Sequence, residues 1–129
     1  MYGISPDDNF DFLIGTWLTT ASFGTSTLLL IFDDPRVNIV NDPKANSTIR
    51  ISIGHDIEII TPILGSRSAE NARSLANDIV TILGHTITGI KTTERTLSLI
   101  FDNEYTLVLH DDEDYDAFAI DYGDRTIVV

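Results

Sequence analysis

Leu28-Leu-Leu-Ile-Phe-Asp33 and Leu97-Ser-Leu-Ile-Phe-Asp102 are two nearly identical stretches that decide the fold of this chain. Each alternates in the manner of a β-strand with one buried face. They lie 69 positions apart, and at that offset Leu13–Ile60 aligns with Ile82–Val129 without a gap, with 11 identities in 48 positions. Alternation alone can make β-rich sequences resemble one another, but an ungapped match that also keeps two glycines indicates more than that. We therefore expect an internal duplication.

Each copy is predicted to begin with a helix and to continue with about five antiparallel strands. The repeat units span about residues 5–60 and 68–129, joined by a linker at 61–67. In the second unit Ser68 is the expected N-cap, apolar residues at helical spacing follow, and Gly84 ends the helix. The helix of the first unit is expected to be shorter, running from Ser5 to Gly15.

The strands of both units follow from alternation and from turn residues. In the first unit they are Thr16–Phe23, Thr27–Phe32, Arg36–Val40, Thr48–Ile53 and Asp56–Ile60. In the second unit they are His85–Thr92, Thr96–Phe101, Tyr105–Leu109, Ala117–Tyr122 and Arg125–Val129. We expect a β-bulge near Gly89 and tight turns at Gly54 and Gly123.

The predicted fold class is α+β, mainly antiparallel β, with the two units forming one pseudo-two-fold domain over residues 1–129. A unit of about 60 residues with one helix is too small to be a separate domain. A half-open β-barrel with two helices is the alternative. Leu29 and Ile31 add apolar groups to the second face of their strand, which indicates either a buried layer or a homodimer contact.

The chain is strongly acidic, with 20 Asp and Glu against 8 Lys and Arg, a formal charge of -12 and a pI near 4.2. Such a charge argues against binding to nucleic acid or to anionic membranes and favours basic partners, cations or simple solubility. There is no cysteine, hence no disulfide and no thiolate chemistry. Neither a signal peptide nor a long apolar run is visible, so the expected location is the cytoplasm.

The sharpest local feature is an acidic loop that follows His110. Its candidate partner-binding residues are Asp111, Asp112, Glu113, Asp114, Tyr115 and Asp116. Three interpretations compete: a solvated loop, a docking surface for a basic protein partner, and a calcium site. The stretch lacks the glycine and the distal Glu of an EF-hand loop, so no metal site is assigned.

Catalytic residues are not predicted. His55, His85 and His110 fall outside the repeated positions, and no serine-hydrolase elbow, dinucleotide-binding or P-loop pattern occurs. The preferred function is a non-enzymatic interaction domain, an adaptor, inhibitor or immunity-like protein with an acidic surface for a basic partner. The alternative is a small-ligand or cation binder with its site between the repeats, and the third is an enzyme using Asp or Glu with His55 or His110. No cofactor is expected.

The order of elements, with Leu-x-Leu-Ile-Phe-Asp and Phe-x-Ile strands, resembles small uncharacterised bacterial domains. Some of these are found beside toxin–immunity systems. That resemblance identifies no family and assigns no role to any residue.

Overall fold

Ten antiparallel strands in two five-stranded sheets build the protein, in a computed structural model that describes residues 4, 8–37, 47–54, 56–63, 65–69, 72–112, 117–123 and 125–129. The first sheet has the order β1 (Trp17–Phe23), β2 (Leu28–Asp33), β3 (Thr48–Ile53), β9 (Phe118–Tyr122), β10 (Arg125–Val128). The second sheet has the order β5 (Gly65–Ala69), β4 (Ile57–Thr61), β8 (Thr106–His110), β7 (Thr96–Phe101), β6 (Ile87–Thr92). The helices are two 3₁₀ turns at Asp11–Leu13 and Ala72–Leu75 and one α-helix, α1 (Ala76–Ile82).

A single hydrophobic core lies between the sheets. Alternate residues of β2, β3 and β7 are buried, as expected for strands with one face in the core. Phe32 of β2 and Phe101 of β7 stack with their ring centroids 6.4 Å apart, so side chains of the two sheets touch directly. The α-helix adds Ile79 and Ile82 to the same cluster. The prediction of a mainly antiparallel α+β fold is confirmed.

The two sheets meet at one corner, where the edge strands β1 and β6 approach each other. In the part of the chain that the structure describes, an isolated bridge between Trp17 and Thr86 joins them there, and the sheets do not close into a barrel. Among the described residues the arrangement is therefore two layers over a shared core that are joined at this corner and do not form a closed barrel.

Each half of the chain places its last two strands in the sheet of the other half: β4 and β5 lie in the second sheet, and β9 and β10 lie in the first. The first sheet combines β1–β2–β3 with the hairpin β9–β10, and the second combines β6–β7–β8 with the hairpin β4–β5. Adding five to the numbers of β1–β5 and subtracting five from those of β6–β10 therefore converts one sheet order into the other. Each half of the chain contributes three strands to one sheet and a hairpin to the other, so neither half completes a sheet alone.

The hydrogen bonds at the corner are reciprocal at an offset of 69. The Gly15 N–H donates to the Ile87 carbonyl and the Gly84 N–H to the Leu18 carbonyl, both at 2.8 Å. Both glycines have positive φ, 94° and 82°, which L-residues rarely adopt. Beyond β2 and β7 the uniform offset fails, because it aligns β3 with β9, and these two strands pair with each other rather than occupying equivalent places. The internal duplication itself stays a prediction.

Several local predictions need correction. The expected linker 61–67 contains most of β5, and Ser68 lies in that strand rather than capping a helix, because residues 65–69 bond to β4. The described part of the first helix is only the 3₁₀ turn at Asp11–Leu13. Gly54 does not close a hairpin, since β3 and β4 belong to different sheets and the Gly54 N–H donates to the Ala117 carbonyl.

Other local predictions are confirmed or lie outside the described residues. The bulge near Gly89 appears as a register shift between Ile87 and Gly89, and β1 has the same feature between Leu18 and Thr20. Of the predicted strand Arg36–Val40, residues 38–40 lie outside the described residues, and Arg36 is in a turn.

Candidate interaction site at one end of the sheets

Acidic residues from three separate segments converge at one end of the second sheet. Ile57 pairs with Leu109, and Thr96 pairs with His110, so the β3–β4 link, the β6–β7 turn and the segment after β8 lie together. The Asp111 N–H donates to the Arg95 carbonyl at 2.9 Å, which fixes the turn against the end of β8. We define the acidic end by the described residues of these segments: Asp56, Glu94, Asp111 and Asp112.

Asp111 is directed inward rather than toward solvent. Its side chain has 0% exposure, and its Oδ2 lies 3.2 Å from Nη1 of Arg95. The pair balances one negative against one positive charge, and the Arg95 side chain stays 42% exposed while Asp111 is covered. The carboxylate of Asp111 therefore holds the β6–β7 turn in place against the end of β8.

Glu113, Asp114, Tyr115 and Asp116 lie outside the described residues. Their assignment to a partner-binding surface stays a prediction. Their described neighbours in the chain are Asp112 at the acidic end and Ala117 just before β9.

An apolar depression of about 300 Å³ lies at the same end of the molecule, on the first sheet. Its floor and walls include Thr27, Ser52, Gly54, Ala117, Ala119 and Val128. Ser52 and Ala119 face each other across β3 and β9, where strands from the two halves of the chain pair. The depression thus lies at a junction between the two predicted units, the region where the ligand-binding alternative expected a site. No sequence pattern indicated this depression, because the small residues that line it come from segments distant in the chain.

The two described histidines do not converge. His85 Nδ1 lies 2.6 Å from Asp102 Oδ1 just before β6. His110 Nε2 lies 3.3 Å from Glu58 Oε1 at the far end of β8. A strand of five residues spans about 16 Å, so these pairs occupy opposite ends of the second sheet. His55 lies outside the described residues.

A Ser66–Glu58–His110 chain is the nearest approach to a catalytic arrangement. The Ser66 hydroxyl donates to Glu58 Oε2, while Glu58 Oε1 contacts His110. A serine nucleophile needs the imidazole beside its hydroxyl to accept the proton, whereas here the carboxylate stands between them. This order favours a surface hydrogen-bond network over nucleophilic catalysis. Sequence reasoning missed it because Ser66 belongs to the expected linker.

An arginine-centred cluster lies at the opposite end of the first sheet. Arg36 donates to the Phe12 carbonyl at 2.7 Å and to both carboxylate oxygens of Asp34. Burial by itself would raise the pKa of Asp34, but hydrogen bonds from the Arg36 side chain and backbone, together with its charge, lower that pKa overall. The pKa of Arg36 is raised by the same hydrogen bond. The Phe12 ring stacks on Tyr122 at 3.9 Å between centroids.

Apolar and polar side chains are mixed on the outer face of the first sheet. Leu29 is paired across the strands with Ser22 and Ser52. Ile31 is paired with Thr20 and Arg50 in the same way. Each aliphatic side chain is therefore separated along its row by polar neighbours, and a homodimer through this face stays a prediction.

Within the described ranges, no group of three or more His, Asp or Glu side chains is placed to hold a metal ion. No helix among the described residues has the length and apolarity needed to cross a bilayer. The chain matches no known family model, no curated protein and no solved structure. Any function must therefore be argued from the residues themselves.

Proposed function

We propose that the protein is a non-enzymatic interaction domain, of the adaptor, inhibitor or immunity-like kind, that binds a basic protein partner with its acidic end. One observation carries the proposal. The register of the second sheet groups Asp56, Glu94 and Asp112 beside the start of the acidic stretch, and the charges of Asp111 and Arg95 balance each other there. Negative charge is thus concentrated where the sequence adds three more acidic residues, Glu113, Asp114 and Asp116.

The negative charge of the acidic end should affect both the rate and the selectivity of binding. Complementary charge raises the association rate and selects against acidic competitors, and salt screens both effects. The Debye length falls from about 10 Å at 0.1 M salt to about 3 Å at 1 M. A partner held in this way is therefore recognised by a steep loss of affinity as salt increases.

The test compares two variants that change the formal charge equally. The first neutralises the loop through Asp112→Asn, Glu113→Gln, Asp114→Asn and Asp116→Asn and leaves the buried Asp111 intact. The control neutralises four acids away from the acidic end: Asp11→Asn, Asp33→Asn, Glu104→Gln and Asp121→Asn. Both are used as immobilised baits in lysate at low and moderate salt, and captured proteins are then titrated in purified form.

The native protein and the control are expected to retain a basic partner, and the loop variant is expected to bind it at least about tenfold more weakly. Equal loss in both variants would show that only net charge matters. Retention by the loop variant with unchanged salt dependence would refute the proposal.

A small-ligand binder is the second candidate function. The observation that favours it is the apolar depression between β3 and β9. Thermal-shift and NMR screening with small apolar compounds tests it, and perturbation of Ser52 and Ala119 resonances is the supporting result. A screen that perturbs neither residue would count against it.

We also propose that the pseudo-two-fold arrangement arose by duplication of a helix-plus-five-strand unit. Support comes from the reciprocal corner bonds, the strand exchange, and the contact between Phe32 and its counterpart Phe101. Contacts between equivalent residues are expected close to a two-fold axis. An experimental structure in which no two-fold rotation relates Gly15 to Gly84 and Phe32 to Phe101 would refute it.

A further inference from the structure

Small side chains on two neighbouring strands create the apolar depression. Ser52 and Ala119 are directly opposite each other, and Gly54 and Ala117 continue the same two strands toward the end of the sheet. Val128, which is 40% exposed, forms one side. The six residues that we assign to the floor and walls carry no charge, so the depression offers apolar contact.

The equivalent place in the second sheet is filled. Ser52 pairs with Leu29 as Val108 pairs with Ser98, and Ala119 pairs with Ser52 as Glu58 pairs with Val108. There the larger Val108 is only 6% exposed, and Glu58 reaches across to His110. The strand arrangement alone therefore does not require a depression, and the small residues at the first site produce it.

One carboxylate lies close to the lining of the depression in the chain. Asp56 follows Gly54 by two residues, so their Cα atoms are at most about 7 Å apart. An apolar depression with a carboxylate beside it is complementary to an apolar side chain that has a basic residue next to it.

The size of the depression favours a side chain over a free ligand. Small-molecule sites occupy about 300–1,000 Å³ and enclose most of the ligand surface. The volume of the depression, about 300 Å³, lies at the lower limit of that range. One aliphatic or aromatic side chain, presented by a partner that is held by other contacts, needs no more space.

We infer that the depression receives one apolar side chain from a basic segment of a partner protein, with lysines or arginines on either side of that side chain facing the acidic end. This inference rests on the proposed function and specifies the partner's chemistry. Affinity comes from the apolar side chain, and orientation and salt dependence come from the charges.

The experiment uses two short lysine-rich peptides that differ only in a central Leu or Ser. Binding to the full-length chain is measured by fluorescence anisotropy at low and moderate salt, and ¹⁵N NMR shifts report the site. Two variants fill the depression, Ser52→Leu and Ala119→Leu. The control, Ser98→Leu, makes the same change on the outer face of the second sheet. Circular dichroism and thermal unfolding verify that each variant is folded.

The Leu peptide is expected to bind about tenfold more tightly than the Ser peptide, since partial burial of a Leu side chain has an effect of that order. Either filling variant should abolish this difference, whereas the control should keep it. Amide shifts should centre on Gly54, Ala117 and Ala119.

Other results separate the inference from the proposed function. Equal, salt-sensitive binding of both peptides would overturn the inference and leave the acidic docking role intact. Tighter binding of the Leu peptide without salt dependence would keep an apolar site but refute the docking role. If neither peptide binds at low salt, both are refuted.

Discussion

The contact between Phe32 and Phe101 is expected to couple the two sheets energetically. Both side chains are almost completely buried, at 0% and 1% exposure, and their centroid separation of 6.4 Å lies within the range of attractive aromatic pairs. Replacing either by Ala should cost about 3–5 kcal/mol. Two such losses would approach the whole stability of a typical domain, about 5–15 kcal/mol, so Leu is the better replacement for a double-mutant cycle.

Each Phe→Leu change should lower the free energy of unfolding by about 2–3 kcal/mol, since each removes about three buried carbons at about 0.8 kcal/mol per CH₂. The double variant should lose less than the two single losses added together, by a coupling energy of about 0.5–1.5 kcal/mol. The cycle is measured by guanidinium unfolding. Circular dichroism reports both sheets, and fluorescence of the single Trp17 reports the first.

Coincident transitions by the two probes are expected, because one core joins the sheets. The control cycle combines Phe101→Leu with Phe118→Leu, at the other end of the first sheet, and should be additive. A Phe32–Phe101 coupling below about 0.3 kcal/mol, or separate transitions for the two probes, would refute the two-layer packing.

Two further predictions concern a charged pair and a glycine. Arg36→Met should raise the pKa of Asp34 and destabilise the protein by about 1 kcal/mol at pH 7. The folded-state pKa of Asp34 is lowered, so the stability that Asp34 gains from Arg36 is present above the unfolded pKa near 4. It disappears as the pH falls through the folded-state pKa. A deficit that stays constant down to pH 2 would assign the loss to the bond with the Phe12 carbonyl instead. Gly84→Ala should cost about 1–2 kcal/mol in thermal or denaturant unfolding because φ is 82°. No atom of the described residues, its two chain neighbours aside, lies within 4 Å of an added Cβ, so no steric cost is expected in addition. Gly54→Ala, without positive φ, is its control, and equal losses in both would contradict the backbone argument.

Alternation of apolar residues was sufficient to locate most of the strands. The predicted strands at Thr48–Ile53 and Thr96–Phe101 coincide with β3 and β7, and the acidic composition needed no structure to be recognised. The errors concern segments whose local signals are weak. Gly65–Ala69 carries small and polar residues, and it is a strand only because β4 is available beside it.

The candidate site was predicted only in part. The sequence identified the acidic stretch, but the inward orientation of Asp111 depends on Arg95, sixteen positions earlier. The depression is further removed from any local pattern, since Ser52 and Ala119 become neighbours only when β3 pairs with β9.

The sequence by itself determined where most of the strands form, which side of each of these is apolar, and the sign of the net charge. These properties depend on residues close together in the chain. Tertiary structure alone decided that the hairpins β4–β5 and β9–β10 are exchanged between sheets, and hence which residues line the depression. The physical reason is that backbone N–H and C=O groups are the same in every strand, so strand order is selected by the packing of the whole core and by the connections between strands.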